Sequence, residues 1–191
     1  MENSILKTKI WKQKSSPERT LVDVLTQELN APEIIAKMLV QRGIDSSDKV
    51  KKFFNPRIGD MHDPFLMKDM DKAIERIQTA QEQKEGVLIF GDYDVDGTTS
   101  VALAYSFFKD KFDKLDYYIP DRYKEGYGIS NDGIEYAKAN GLSLIIALDC
   151  GIRSIDKIDY ETSMGIDFII CDHHLPGAEI PKAVAVLDPK R

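Results

Sequence analysis

VLIFGDYDVDGTTS, residues 87–100, joins four consecutive apolar residues to three evenly spaced carboxylates. The first four have the length and β-branched content of a buried strand. After Gly91, Asp92, Asp94 and Asp96 recur at every second position, and Gly97 closes the run. In a strand or its extended continuation alternate residues share a side, which predicts three carboxylates converging on one spot. A divalent cation held by oxygen ligands is the simplest relief of their mutual repulsion. Thr98, Thr99 and Ser100 are good N-cap residues. The spacing predicts a helix after them with Val101, Ala104, Tyr105, Phe108 and Phe112 on its apolar side. The start of that helix, beside the carboxylates, is also a place for a phosphate.

Two familiar loops fail on this stretch. An EF-hand loop beginning at Asp92 needs a Glu at its twelfth position, where Leu103 stands, and it follows a helix rather than a strand. A P-loop needs a Lys after its last glycine, and Gly97 is followed by Thr98. A solvated acidic turn is the plainer alternative, and a wholly apolar strand leading straight into three in-register carboxylates speaks against it.

Downstream, short apolar runs alternate with helical spacing. Residues 115–119 read as a second strand ending at Asp121, and 122–130, RYKEGYGIS, as a loop. Ser130 or Asn131 caps a helix through Ile134 and Ala137 that Gly141 closes. Residues 143–148 form a third strand ending in Asp149, Cys150 and Gly151, and a helix from about Ser154 ends at Gly165. Residues 167–171 form a fourth strand ending in Asp172, His173 and His174, and 183–187 a fifth ending at Asp188. Such alternation indicates βαβ units and an α/β fold: a mainly parallel five-stranded sheet with helices on both faces. Ligands in these sheets gather beyond the carboxyl ends of the strands, which is where the acids repeatedly fall.

Upstream, residues 1–18 read as a poorly structured lead-in with Trp11 as an anchor. From Thr20 to Phe54 the periodicity is helical: Leu21, Val24, Leu25 and Leu29 on a first helix, then Ile35, Met38 and Leu39 after Pro32, then Val50, Phe53 and Phe54 after a Ser46 or Ser47 cap. Residues 55–65 are a turn-rich connector in which His62 reads as structural. Residues 68–84 are amphipathic, with Met70, Ala73, Ile74 and Ile77 on one side. The expected division is a lead-in and small helical module over 1–66 and a metal-binding α/β domain over 67–191.

The 191 residues are 42% hydrophobic and 30% charged, as in a folded globular protein, with a net charge of −6. That argues against a broad basic nucleic-acid surface, although carboxylates meant for cations account for part of the acid. No apolar run approaches the roughly 18 residues of a membrane span, and the first residues lack a signal-peptide core. Cys150 and Cys171 read as small buried residues of a reducing compartment, with a soft-ligand role as the lesser alternative, which makes the cytoplasm the default location.

Asp92, Asp94, Asp96, Asp149 and His173 can meet over two cations. Carboxylate and imidazole suit manganese or magnesium at a hydrolytic site better than thiolate-rich zinc. Two such ions, about 3.5–4 Å apart, clamp a phosphoryl group. Two of the three histidines fall together at one strand end, so a polar loop alone does not account for them.

With GDYDVDGTTS, Asp149 and the Asp172-His173-His174 run in order, the chain resembles the DHH phosphoesterase superfamily. HDPFLMKDMDKAIERI, RYKEGYGIS and CDHHLPG make it look like that superfamily's bacterial single-strand-specific 5′-to-3′ exonuclease branch, over about 21–188. The resemblance implies two manganese or magnesium ions. Asp92 and Asp94 would serve one, Asp96 and His173 the other, and Asp149 would bridge them. His174 would face the scissile phosphate, with Asp172 orienting the site, so that Asp96, Asp149, His173 and His174 form the catalytic set. Arg122 is the candidate phosphate contact, and Tyr123 and Tyr127 would stack bases or pack their loop. The implied partners are single-stranded DNA and recombination and repair proteins such as a helicase or a single-strand-binding protein, with no membrane. The family supplies a further metal-ligating Asp and further domains that do not follow Asp188. The chain is therefore expected to be an N-terminal piece, truncated at the end of its DHH domain and impaired alone. The alternatives are another DHH phosphoesterase, acting on oligoribonucleotides, cyclic dinucleotides or pyrophosphate, a catalytically dead replication scaffold or, least favoured, a small-molecule-binding α/β domain.

Overall fold

The structure, a computed structural model, describes residues 10–191. Residues 1–9, and with them the first half of the expected lead-in, lie outside the described residues. Residues 10–18 carry no helix or strand, and Trp11 is fully exposed rather than an anchor. The chain divides into two compact units, one running to His62 and the other over Asp63–Arg191.

The first unit holds α1 (Arg19–Leu29), α2 (Glu33–Val40) and α3 (Ser47–Phe54). Its core is Val22, Leu25, Ala36, Leu39 and Val50. The buried stripe of α1 therefore runs through Val22 and Leu25, and Val24 is turned outward. Two apolar stripes compete on α1, and the one that wins shares a core with Ala36, a methyl group small enough for close helix approach. Ile35, Met38, Phe53 and Phe54, expected inward, are exposed. Ser46 caps α3 by accepting from the Lys49 N–H.

The second unit opens with a short 3₁₀ turn at Pro64–Leu66 and then α4 (Met70–Glu82). There follow β1 (Val87–Gly91), α5 (Val95–Phe108), β2 (Leu115–Tyr118), α6 (Asn131–Ala139), β3 (Leu144–Leu148), α7 (Ile155–Ser163), β4 (Asp167–Cys171) and β5 (Ala185–Leu187). All five strands are parallel in the order β2-β1-β3-β4-β5. Strand alternation splits the core in two. Leu88, Phe90, Ile145, Phe168 and Ile170 face α6 and α7, and Val87, Ile89, Leu144, Ile146 and Ile169 face α4 and α5. Helices thus cover both faces, as the unbroken apolar runs of β1 and β3 require.

An ion network ties the amino edge of the sheet together. Arg76 on α4 donates from Nη2 to Glu85 at 2.6 Å and from Nε to Asp167 at 2.6 Å, and the Ser143 hydroxyl donates to Glu85 at 2.7 Å. Burial opposes the charge on Glu85, but the Arg76 guanidinium and Ser143 outweigh it and hold that carboxyl below its usual range. Arg76→Ala should cost about 2 kcal/mol, less than a fully buried pair because the network keeps some solvent contact. Urea unfolding would read this as a lower midpoint with an unchanged slope. An unmoved midpoint would mean that solvent screens the network completely.

Candidate metal centre

β1 and β3 are neighbours at the point where the strand order reverses, and in sheets of this type that crevice is where ligands bind. The carboxyl end of β1 delivers residues 92–96 and that of β3 delivers Asp149. One strand further, β4 delivers Asp172, His173 and His174.

The first group is not an extended run. β1 stops at Gly91 and α5 begins at Val95, with Asp94 as its N-cap. The Asp94 carboxylate accepts from the Gly97 N–H at 2.9 Å, and the Thr98 and Thr99 hydroxyls donate back to the carbonyls of Asp94 and Val95. Thr98, Thr99 and Ser100 therefore lie inside the helix and cap nothing. Strand alternation does not align the three acids. Asp92 follows the strand, Asp94 closes the helix end, and Asp96 projects from the first turn. The missed signal was Asp94 itself, an acid of the best N-cap class with glycine three residues on.

Asp149 has φ +60, a left-handed conformation that Asp tolerates better than most residues, and its N–H donates to the Cys171 carbonyl at 2.8 Å. This strained turn places its carboxylate against the β4 loop. There Asp172 is buried and saturated. One oxygen accepts from the His173 N–H, the His174 N–H and the His174 Nδ1, the last at 2.7 Å, and the other from the Ile152 N–H at 3.0 Å. Burial pushes its carboxyl up, but these donors outweigh burial and leave it below the usual range. An ionised, saturated carboxylate orients its neighbours and has little left to offer a cation.

Asp149, His173 and His174 each present a ligand atom, and these atoms lie within 4.8 Å of one another. His173 Nε2 comes to 2.9 Å from Asp149 Oδ1, though not along a hydrogen-bond direction. Asp92 and Asp149 are buried, at 1% and 6% exposure, and no oxygen of either has a hydrogen-bond partner. Burial raises the pKa of both, and the neighbouring Asp94 raises them further, while the Gly97 N–H holds Asp94 low. Four unpartnered oxygens on two buried carboxylates are costly unless a cation neutralises them. The donor set is oxygen and imidazole. Neither cysteine joins it as a thiolate: burial pushes Cys150 far up and Cys171 up to about 12. The residues present fit a hard divalent ion.

Asp96 is exposed and shares a cavity of about 550 Å³ with Asp149, Asp172 and His173, walled on its apolar side by Met67, Met70 and Leu187. Arg122 places its guanidinium 5.3 Å from the Tyr93 ring centre and touches none of the carboxylates. Tyr123 is exposed. Asp121 accepts from the N–H groups of Tyr123 and Lys124 and so shapes its own turn outside the cluster. Asp188 is buried at the end of β5, one oxygen accepting from the Lys190 N–H.

The model of the DHH family, N-terminal domain, matches residues 86–191. The single-stranded-DNA-specific exonuclease RecJ of Bacillus subtilis (strain 168) is 39% identical over 175 residues, which is 92% of this chain and 22% of that protein. RecJ of Escherichia coli (strain K12) is 32% identical over 160 residues, 83% of this chain and 27% of that protein. The chain thus spans roughly a quarter of the length of these curated relatives. A crystal structure of exonuclease RecJ bound to manganese superposes with a TM-score of 0.59 at 28% identity, covering 64% of this chain and 31% of the other. RecJ in complex with Mn2+ from Thermus thermophilus gives 0.63 at 22% identity over 92% of this chain and 24% of its own, a likeness of fold.

Proposed function

We infer the function from one premise: this chain belongs to the DHH family, whose N-terminal domain model takes in more than half of it. We propose that its second unit is the metal-binding part of a phosphodiesterase that removes nucleotides from the 5′ end of single-stranded DNA. The observation that carries this reading is Asp149, a buried carboxylate whose two oxygens lack partners and which lies with the His173 and His174 rings, together with Asp92, equally buried and unpartnered after the neighbouring strand. Relatives named for single-stranded DNA, and a similar structure that holds manganese, support the substrate and the ion.

In this reading Asp92 and Asp94 would hold one manganese or magnesium ion, Asp96 and His173 would hold a second, and Asp149 would serve both. The ions supply charge neutralisation and lower the pKa of water. The chain's residues do the remainder. Asp172 fixes the loop that carries both histidines, His174 meets the scissile phosphate, and Arg122 holds a phosphate bidentately from its loop. We also propose that residues 1–66 act as a separate helical module beside a DHH domain over 67–191, and that the protein works in the cytoplasm with repair proteins such as a helicase or single-strand-binding protein. Among the described residues no helix is long and apolar enough to cross a membrane.

Expressed at the length of its relatives, a protein carrying these residues should progressively shorten 3′-labelled single-stranded DNA, and release a 5′ label in small products, with manganese or magnesium, spare duplex and stop on chelation. Arg122→Ala should raise KM and leave manganese binding by the 191-residue chain unchanged, which titration calorimetry would read. Cleavage only of cyclic dinucleotides or pyrophosphate would replace the exonuclease reading while keeping the ions.

A further inference from the structure

Between Asp92 and Asp94 stands an aromatic ring, and it meets an arginine from another loop. Tyr93 is half-buried, and the Arg122 guanidinium lies over its ring, with the central carbon 5.3 Å from the ring centre. That is within the range at which a ring face attracts a cation. The backbone that carries the arginine is held in place. The Asp121 carboxylate accepts from the Tyr123 N–H at 2.8 Å and the Lys124 N–H at 3.1 Å. Glu125 accepts from the Asp121 N–H at 2.7 Å and from the Tyr118 hydroxyl at 2.9 Å, and its own N–H donates to the Asp121 carbonyl. Arg122 therefore leaves a braced turn and ends on an aromatic face. Tyr127, further along the same loop, meets Tyr93 edge-on at 6.5 Å and supports that ring from the side.

We propose that Tyr93 is a positioning residue for Arg122: its ring holds the guanidinium at the acidic turn and leaves the N–H donors open to a phosphate. The consequence for the substrate rests on the phosphate contact proposed above, whereas the hold of the ring on the guanidinium does not. A carboxylate in place of the ring would fix the arginine through the same donors that a phosphate needs. An aromatic face attracts the cation without taking those donors up as an oxygen would. Without the ring, an exposed arginine spreads over many rotamers, and a phosphate must then order it at an entropic cost. The place of the ring in the chain also matters. Tyr93 adjoins Asp92 on one side and Asp94 on the other, so the phosphate arm is registered on the turn that carries the acids.

Tyr93→Phe keeps the ring and Tyr93→Leu removes it. In the 191-residue chain, the ring current of Tyr93 should displace the side-chain proton resonances of Arg122, which Arg122→Ala identifies by their loss. Tyr93→Phe should keep that displacement and Tyr93→Leu should abolish it. At the length of the relatives, Tyr93→Leu should raise KM for single-stranded DNA about 3-fold with kcat nearly unchanged, and Tyr93→Phe should restore the wild-type KM. In an Arg122→Ala background Tyr93→Leu should raise KM no further. A disturbance of Asp92 or Asp94 would act in both backgrounds and so cancels in this comparison. Arg122 resonances that are equal in wild type and Tyr93→Leu would overturn the proposal. So would a KM rise of the same size with and without Arg122, because the ring would then act on DNA without the arginine. If Arg122→Ala leaves KM unmoved, the phosphate contact fails, and the resonances still decide whether Tyr93 holds the guanidinium.

Discussion

Asp149→Ala is expected to erase the manganese-induced rise in melting temperature of this chain. At the length of the relatives it should cut phosphodiester hydrolysis by about 10³-fold or more, the scale on which one member of a cooperating set is lost. Asp149 is the residue on which the site converges. It is buried, both of its oxygens lack partners, and it lies beside Asp94, His173 and His174. A cation that binds the folded chain alone stabilises it by about 2.7 kcal/mol at a hundredfold excess over Kd. Differential scanning fluorimetry across a manganese titration reads that shift directly. Without metal the same substitution should leave the melting temperature unchanged or raise it, because it removes a buried carboxylate that nothing neutralises. Wild type and variant responding equally to manganese would mean that the ion sits elsewhere.

Gly97→Ala should be nearly as damaging, through the backbone rather than a ligand. A Cβ at Gly97 would lie 2.3 Å from the Asp92 carbonyl oxygen and 2.6 Å from the Asp92 nitrogen and carbonyl carbon. No rotamer relieves a clash with backbone, so α5 would have to withdraw from the end of β1. The Gly97 N–H would leave Asp94, so α5 would lose its cap and Asp94 the donor that lowers its pKa. Overpacking of this kind and the lost cap together should cost about 3 kcal/mol or more. Thermal unfolding should show a large drop, with manganese affinity falling in parallel. A variant of near wild-type stability would show that the first turn of α5 can slide without cost.

Much of this was legible because the chain's direction does the work. Apolar runs such as 87–90 and 144–148 can only be buried strands, and helices between them force parallel order. Parallel order then places the residue after every strand at one edge of the sheet. That argument alone put Asp92, Asp149 and Asp172 at one edge of the sheet, and α/β architecture with helices on both faces followed from the same alternation. The helical module was equally legible as helices, but not its buried stripe, since α1 carries two apolar faces and only packing against α2 chose Val22 and Leu25.

Tertiary structure decided what sequence spacing mimicked or could not reach. The D-x-D-x-D spacing imitates a strand, yet the helix starts at Val95 because Asp94 caps it, so the acids meet by a turn and not by alternation. Strand order, which no local pattern states, set β3 beside β1 and so brought Asp149 to the first acidic turn. The same holds for Tyr127 on His174, 47 residues apart, and for Arg76 on Asp167, 91 apart. Local hydrophobic period and chain direction are carried by neighbouring residues, and a sequence displays them. Contacts between distant residues depend on which elements pack side by side, and that is settled only when the whole sheet buries its two faces at once.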